Sequence, residues 1–304
     1  METRRYDNLK VPVKIRKETE KVIAKFASFG LEEFINNELA EPSKYLLNKP
    51  GKLLRPTLVF LGADYIGIED LGLYVDLAAS IELLHTSSLI HDDIIDKDIS
   101  RRGIEATHLK YGIADAILGG DALISKAIQE ANRYGTDVVD SISKAAMKMC
   151  AGEIIDHSYQ RSQVVPTLKD YLKVAELKSS TLVGVSTSVA AVHRSNAKAA
   201  RLNEFGVSLG TAFQIRDDMI DFVSMNGDRN EEDGFPYKLN IVRCIKENEG
   251  VDLESALLKA SSLNRKYVRK AISKLGDSKN ALLLREYASK VEIDSGEEFA
   301  LNKS

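Results

Sequence analysis

Apolar positions along this 304-residue chain recur at helical rather than strand spacing. Leu77, Ile81, Leu84 and Ser88 follow an i, i+4, i+7, i+11 stripe, and Ile142, Ala146 and Met149 begin another. Alternating runs of period two are scarce. Proline occurs only at 12, 42, 50, 56, 166 and 236, so residues 57–165 and 167–235 lack it, as long helices require. The pattern predicts an all-α fold. Pro50-Gly51 predicts a turn, and Pro56 suits the first position of a helix running toward Gly67. Thr167 with Asp170 predicts an N-terminal cap for a helix over residues 168–192. Residues 225–236, rich in Gly, Asn, Asp and Glu, read as the longest loop, with no domain boundary there. Beyond it, Leu253, Ala256, Leu257 and Ala260 return to helical spacing. One domain is expected over residues 1–304, with its motifs in about 45–245 and a helical C-terminal part over 250–304.

Composition narrows the function classes. With 44% hydrophobic and 29% charged residues the chain can bury a core, which excludes a disordered polymer. Its 42 basic and 45 acidic side chains leave a formal charge of −3, too little positive charge to hold nucleic acid or anionic lipid in bulk. Residues 179–192, about fourteen long, are the longest stretch without charge or His, short of the roughly 18 that a membrane span needs. Cys150 and Cys244 are too few for a disulfide framework and lack zinc-ligand spacing, so a reducing cytoplasmic setting is expected. The basic residues Arg4, Arg5, Lys10 and Lys14 precede no apolar signal core, and Leu301-Asn302-Lys303-Ser304 carries no lipidation motif.

One heptapeptide recurs with five of its seven positions identical. Ile90-His91-Asp92-Asp93-Ile94-Ile95-Asp96 returns as Ile215-Arg216-Asp217-Asp218-Met219-Ile220-Asp221. On a helix this spacing puts each aspartate triplet within about 100° of one face. Two like charges ~4 Å apart repel by ~4 kcal/mol at an effective dielectric near 20, so each face needs cations, solvent or protonation. A single copy would read as a solvated acidic surface. Here both copies follow uncharged apolar segments, residues 86–90 and 205–213, which sets them at the mouth of a core. Oxygen-only ligands point to a hard cation, and Mg²⁺ takes one or two carboxylates while keeping places for water and phosphate. A phosphate or diphosphate substrate follows, and such an anion needs fixed cations as well. Lys52 and Arg55 flank the turn at residues 50–51, Arg101-Arg102-Gly103 follows the first motif, and His85 stands seven residues before Asp92 on the same helical face. Without the six motif aspartates the formal charge would be +3, so the near-balance hides a concentrated acidic site in a mildly basic shell.

These residues resemble the trans-isoprenyl diphosphate synthases, or polyprenyl synthetases, over roughly residues 45–245. Gly51-Lys52-Leu53-Leu54-Arg55-Pro56 is similar to the family's Gly-Lys-x-x-Arg-Pro element. The two heptapeptides look like its two aspartate-rich motifs, and Gly120-Asp121, Gly152-Glu153 with Asp156, Lys178, and residues 210–218 match further elements in order. The resemblance implies a single bundle of long helices around a deep central cavity, with the two acidic motifs facing each other across its mouth. It implies Mg²⁺ held by Asp92, Asp93, Asp96, Asp217, Asp218 and Asp221, and homodimerisation. It also implies that Lys52, Arg55, His85 and Arg102 bind isopentenyl diphosphate, while Arg101, Lys178, Ser179, Gln214 and Lys238 serve the allylic diphosphate. Asp92, Asp93, Asp96, Lys178, Gln214 and Asp217 are the catalytic set in this reading. The chemistry implied is ionisation of the allylic carbon–oxygen bond, attack by isopentenyl diphosphate, and loss of a proton.

Three departures qualify the likeness. Ser179 replaces the usual threonine, Glu105-Ala106 stands where Pro-Thr is common, and residues 229–233 shorten the segment after Gly227-Asp228 and omit its lysine, for which Arg229 is a candidate substitute. Asp233 and Lys238 keep the later Asp–Lys spacing. In the family, bulky residues four or five positions before the first motif floor the product cavity. Here these are Ser88 and Ser87, which leaves Leu84 and Ile81 as deeper floors, one and two turns of about 5.4 Å further down. A medium-chain all-trans product of C20 to C30 is expected, with C25 favoured. A terpene cyclase of related fold would not need Lys52, Arg55 and Arg102, and a non-catalytic partner subunit would not need both acidic motifs.

Overall fold

The computed structural model of the chain describes residues 11–27, 37–224 and 239–293. Helices account for nearly all of them: α1 (Val13–Ala27), α2 (Asn37–Tyr45), α3 (Leu54–Tyr65), α4 (Val75–Ile95), α5 (Thr107–Tyr111), α6 (Ile113–Asn132), α7 (Thr136–Ser162), α8 (Leu168–Ala175), α9 (Thr181–Ser188), α10 (Asn196–Ser224), α11 (Ile241–Glu249), α12 (Leu253–Ser273) and α13 (Leu282–Ser289). The all-α expectation holds. One small exception is an antiparallel pair, β1 (Ser100–Arg101) with β2 (Ile104–Glu105), in the register Ser100↔Glu105 and Arg101↔Ile104. Two-residue strands are too short to leave an alternating pattern, which is why the pair was not anticipated.

Local chemistry sets the helix ends. Thr167 accepts a hydrogen bond from the Asp170 N–H, the expected cap, and Asn240 and Asp252 cap α11 and α12 in the same way. Helix α3 starts two residues before Pro56, which still lies in the first turn, where its missing N–H costs nothing. The single helix expected over residues 168–192 is divided: a π-helical turn, Glu176–Ser180, joins α8 to α9, and a 3₁₀ turn, Val189–Ala191, follows. A π turn inserts one residue into the i→i−4 ladder and re-aims the side chains beside it, and Lys178 sits within this one.

The described residues up to 144, with 186–199, form one compact unit, and those of 145–185 with those from 200 onward form a second. In the first, α4 packs against α6, α1 and α3. Leu77, Ile81 and Leu84 are buried as expected, but so are nearly all their neighbours through Ser87, so α4 is a core helix rather than an amphipathic one. Ser80 donates to the Ala127 carbonyl across the α4–α6 contact at 2.8 Å. On α7 the buried positions are Val138, Ile142 and Ala145, whereas Ala146 and Met149 are partly exposed, so that stripe is rotated by one residue from the expected one.

In the second unit, Tyr171, Ile215, Met219, Phe222, Ile241, Ile245, Leu257 and Ala260 form a buried cluster on α8, α10, α11 and α12. Asn264 of α12 stitches it together, donating to the Ala212 carbonyl at 2.8 Å and accepting from the Ile293 N–H at 3.0 Å. A helix therefore lies over residues 253–273, as the C-terminal pattern predicted.

Candidate active site

Helix α4 with its C-cap Asp96 places Glu82, His85, Asp92 and Asp96 within an arc of about 80°, given 3.6 residues per turn. Past its C-terminus the chain turns through left-handed Lys97 (φ 54) into the β1–β2 hairpin, whose turn has Arg102 (φ 53) and Gly103 (φ 75) in the same region. This brings Arg101 back over α4. Its Nε donates to Asp93 Oδ1 at 2.7 Å, its Nη2 to the same oxygen, and Nη2 also reaches Asp98 Oδ2 at 2.7 Å. Asp93 is wholly buried, and burial raises its pKa while Arg101 pulls it back. Its neighbours Asp92 and Asp96 remain partly exposed.

Arg102 reaches the other way. Its Nη1 donates to the carbonyls of Leu46 (3.4 Å) and Lys49 (3.1 Å), and its Nη2 lies 3.3 Å from Glu82 Oε1. The guanidinium lies against Gly51, where a Cβ would come within 3.1 Å of Nε, so glycine permits this close approach. Burial holds the His85 imidazole well below its ordinary pKa, and Arg55, Arg102 and Arg101 lower it further, so the ring is neutral at pH 7. Arg55 thus joins Arg102, His85 and Glu82 in one electrostatic cluster, while Lys52 is exposed in the turn before α3.

The second unit holds the other half of the expected residues. Lys178 Nζ bridges Glu153 Oε2 at 2.6 Å and Asp156 Oδ2 at 2.7 Å, both carboxylates being on α7. Ser179 donates to Gln214 Oε1 at 2.7 Å, so the hydroxyl that serine shares with threonine is in use. Gln214 in turn donates to Asp218 Oδ1 at 2.7 Å. The other Asp218 oxygen accepts from the Tyr171 hydroxyl at 2.8 Å and the Ile241 N–H at 2.9 Å. Burial raises the Asp218 carboxyl to about 7 against the pull of these donors, and burial likewise pushes Tyr171 well above the usual phenol value. Asp217 is partly exposed and Asp221 exposed.

Both acidic motifs therefore share one division. The middle aspartate is buried and bonded within the protein, and the outer two, one helical turn apart, stand nearer solvent. Among the described residues, no three His, Cys, Asp or Glu side chains are grouped to cage a metal unaided. A hard divalent cation needs no such cage, since it takes one or two carboxylates together with water and substrate oxygens. The pairs Asp92/Asp96 and Asp217/Asp221 fit that requirement.

Of the residues expected at the floor of a product cavity, Ile81, Leu84 and Ser87 are buried, and the Ser87 hydroxyl has no hydrogen-bond partner. Ser88 is partly exposed and donates to the His85 carbonyl at 2.8 Å. Lys238, Arg229, Asp233 and the expected loop at 225–236 lie outside the described residues. Glu82, Asp98 and Tyr171 were not anticipated. For Glu82 there was a signal, an acid three residues before His85 on an otherwise apolar helix.

Comparison with known proteins gives the following. A family model described as polyprenyl synthetase matches residues 36–234. The chain is 36% identical over 195 residues to a geranylgeranyl diphosphate synthase of Methanosarcina mazei, covering 62% of this chain and 60% of that protein. To a geranylfarnesyl diphosphate synthase of Natronomonas pharaonis it is 29% identical over 286 residues, covering 86% and 83%. The structure of a geranylgeranyl pyrophosphate synthetase from Geoglobus acetivorans superposes with a TM-score of 0.80 at 25% identity, covering 92% of this chain and 99% of that one.

Proposed function

The chain belongs to the polyprenyl synthetase family and is a trans-prenyltransferase, and on that premise we propose that it joins isopentenyl diphosphate to an allylic diphosphate. The observation that carries this reading is the cluster of Arg55, Arg102 and neutral His85 around one buried carboxylate, a socket for a second diphosphate that a cyclase would not need. Lys52, in the turn before α3, adds a point charge at its edge.

In the allylic half, the pairs Asp92/Asp96 and Asp217/Asp221 would each hold divalent metal, Mg²⁺ in this reading, which when bound neutralises charge on the leaving diphosphate. Asp93 and Asp218, also expected among the metal ligands, hold Arg101 and Gln214. Arg101 and Lys178 supply further positive charge to the departing group, with Ser179 and Gln214 orienting it and Lys238 a candidate contact. The allylic carbon–oxygen bond breaks with its electron pair on the diphosphate. The double bond of isopentenyl diphosphate then supplies the electrons of the new carbon–carbon bond, and a proton passes from the adduct to the released diphosphate.

The proposed product is C20 to C30, with C25 favoured. Small Ser87 and Ser88 support a deep cavity, as does similarity to proteins named geranylgeranyl and geranylfarnesyl diphosphate synthases. Ser87→Phe should shorten the product, and an unchanged chain length would remove Ser87 from the floor. Exposed Ile113, Ile117, Leu118 and Ile128 on α6 support a homodimer, which sedimentation velocity would test. Among the described residues no helix is long and apolar enough to cross a membrane. Both cysteines are free, which suits the cytoplasmic setting proposed. The whole reading is tested by following isopentenyl diphosphate consumption with allylic diphosphates of increasing length; no consumption with any of them would reject it.

A further inference from the structure

Glu82 is an expensive residue. Its side chain is 3% exposed, in the middle of an apolar core helix, where burial raises the carboxyl pKa despite two nearby arginines. An apolar side chain of similar size would pack there at lower cost, so a buried acid kept in such a place calls for a role.

Arg102 supplies one. Its backbone is left-handed, at the tip of a two-residue-strand hairpin, so little in its own segment fixes where the long side chain goes. Three acceptors from two other segments do so: the Leu46 and Lys49 carbonyls take Nη1, and Glu82 takes Nη2. Both protons of Nη1 are engaged by these carbonyls, and the Nε–Nη2 side packs on Gly51, where a Cβ would come within 3.1 Å of Nε. In addition, Arg55 and Arg102 repel each other in a poorly solvated pocket until an anion arrives, and Glu82 offsets that repulsion in its absence.

We propose that Glu82 is a positioning residue for isopentenyl diphosphate, holding the Arg102 guanidinium in place for the ligand and balancing the Arg55–Arg102 pair before the ligand binds. This rests on the function proposed above and adds to it a residue that touches no substrate.

The test measures both KM values for wild type, Glu82→Leu, Glu82→Gln, Arg102→Ala and the Glu82→Leu/Arg102→Ala double variant. Glu82→Leu should raise the KM for isopentenyl diphosphate roughly tenfold to a hundredfold, the effect of losing one charge-assisted hydrogen bond, and leave the allylic KM within about twofold. Glu82→Gln, which keeps the shape and an acceptor oxygen, should fall between. The double variant should be no worse than Arg102→Ala alone, because Glu82 acts through that arginine. An unchanged isopentenyl KM in both Glu82 variants, a parallel rise in both KM values, or additive losses in the double variant would overturn the inference. A wild type that is active but indifferent to Glu82 sinks this inference alone; a wild type that neither binds nor consumes isopentenyl diphosphate sinks the functional reading with it.

Discussion

Replacing Tyr171 by Phe removes one oxygen and leaves the ring in the α8–α10–α11 core, so the change isolates one hydrogen bond, the 2.8 Å contact to Asp218. Both residues are buried, and no water can take the hydroxyl's place without repacking. A hydrogen bond to a charged group contributes about 1.5–3 kcal/mol. The lower end is expected, since a carboxyl raised to about 7 is only partly ionised at neutral pH and the Ile241 N–H at 2.9 Å still satisfies the same oxygen. Unfolding entropy of ~2.1 cal/mol/K per residue amounts to ~0.6 kcal/mol/K over 304 residues, so a 2 kcal/mol loss lowers Tm by ~3 °C. The same change loosens Asp218, hence Gln214, and should raise the allylic-substrate KM while leaving that for isopentenyl diphosphate unaltered. Thermal melts and steady-state kinetics on one preparation suffice. A Tm within 1 °C of wild type with both KM values unchanged would show that the buried network does not support the second acidic motif.

Three further outcomes follow from the same geometry. Gly152→Ala would set a Cβ 2.5 Å from the Lys178 backbone nitrogen, a contact that no side-chain rotation relieves, so a loss of about 1–3 kcal/mol with a larger fall in kcat is expected from denaturant melts and turnover. Asn264→Leu removes hydrogen bonds to Ala212, Val291 and Ile293 in the core and should cost about 3–5 kcal/mol by urea denaturation with little change in KM for the molecules that stay folded. His85→Gln should flatten the acid side of the stability profile: the folded imidazole pKa is depressed, so the unfolded chain gains a proton first as pH falls below about 6.5, and wild type loses stability toward pH 5 that the variant keeps. A parallel decline of both proteins in urea melts across that window would refute the assignment.

How much of this was legible in the sequence differs from residue to residue. The repeated heptapeptide, the cations at 52, 55, 101 and 102, and the helical spacing all carry over, because they depend on residue type and local period. Which aspartate of each adjacent pair turns inward did not. Neighbouring helical positions point about 100° apart, and only tertiary partners, Arg101 for Asp93 and Tyr171 for Asp218, decide which one is buried. Tyr171 carried no signal of its own, since a tyrosine at helical spacing reads as core until its hydroxyl is seen to meet a carboxylate. The π turn at Lys178 was hidden for a similar reason: one inserted residue barely disturbs the apolar pattern yet re-aims the side chain. On α4 the stripe was underestimated because a helix buried nearly all round from Leu77 to Ser87 has no polar face there from which to read its orientation.

Mass spectrometry of the organic-soluble product after incubation with Mg²⁺, farnesyl diphosphate and isotopically labelled isopentenyl diphosphate tests the central claim most directly. Successive labelled five-carbon additions should appear, ending between C20 and C30 with C25 dominant, and should vanish when a chelator is added. Farnesyl diphosphate recovered unextended, or converted to a cyclic hydrocarbon without label, would contradict the account.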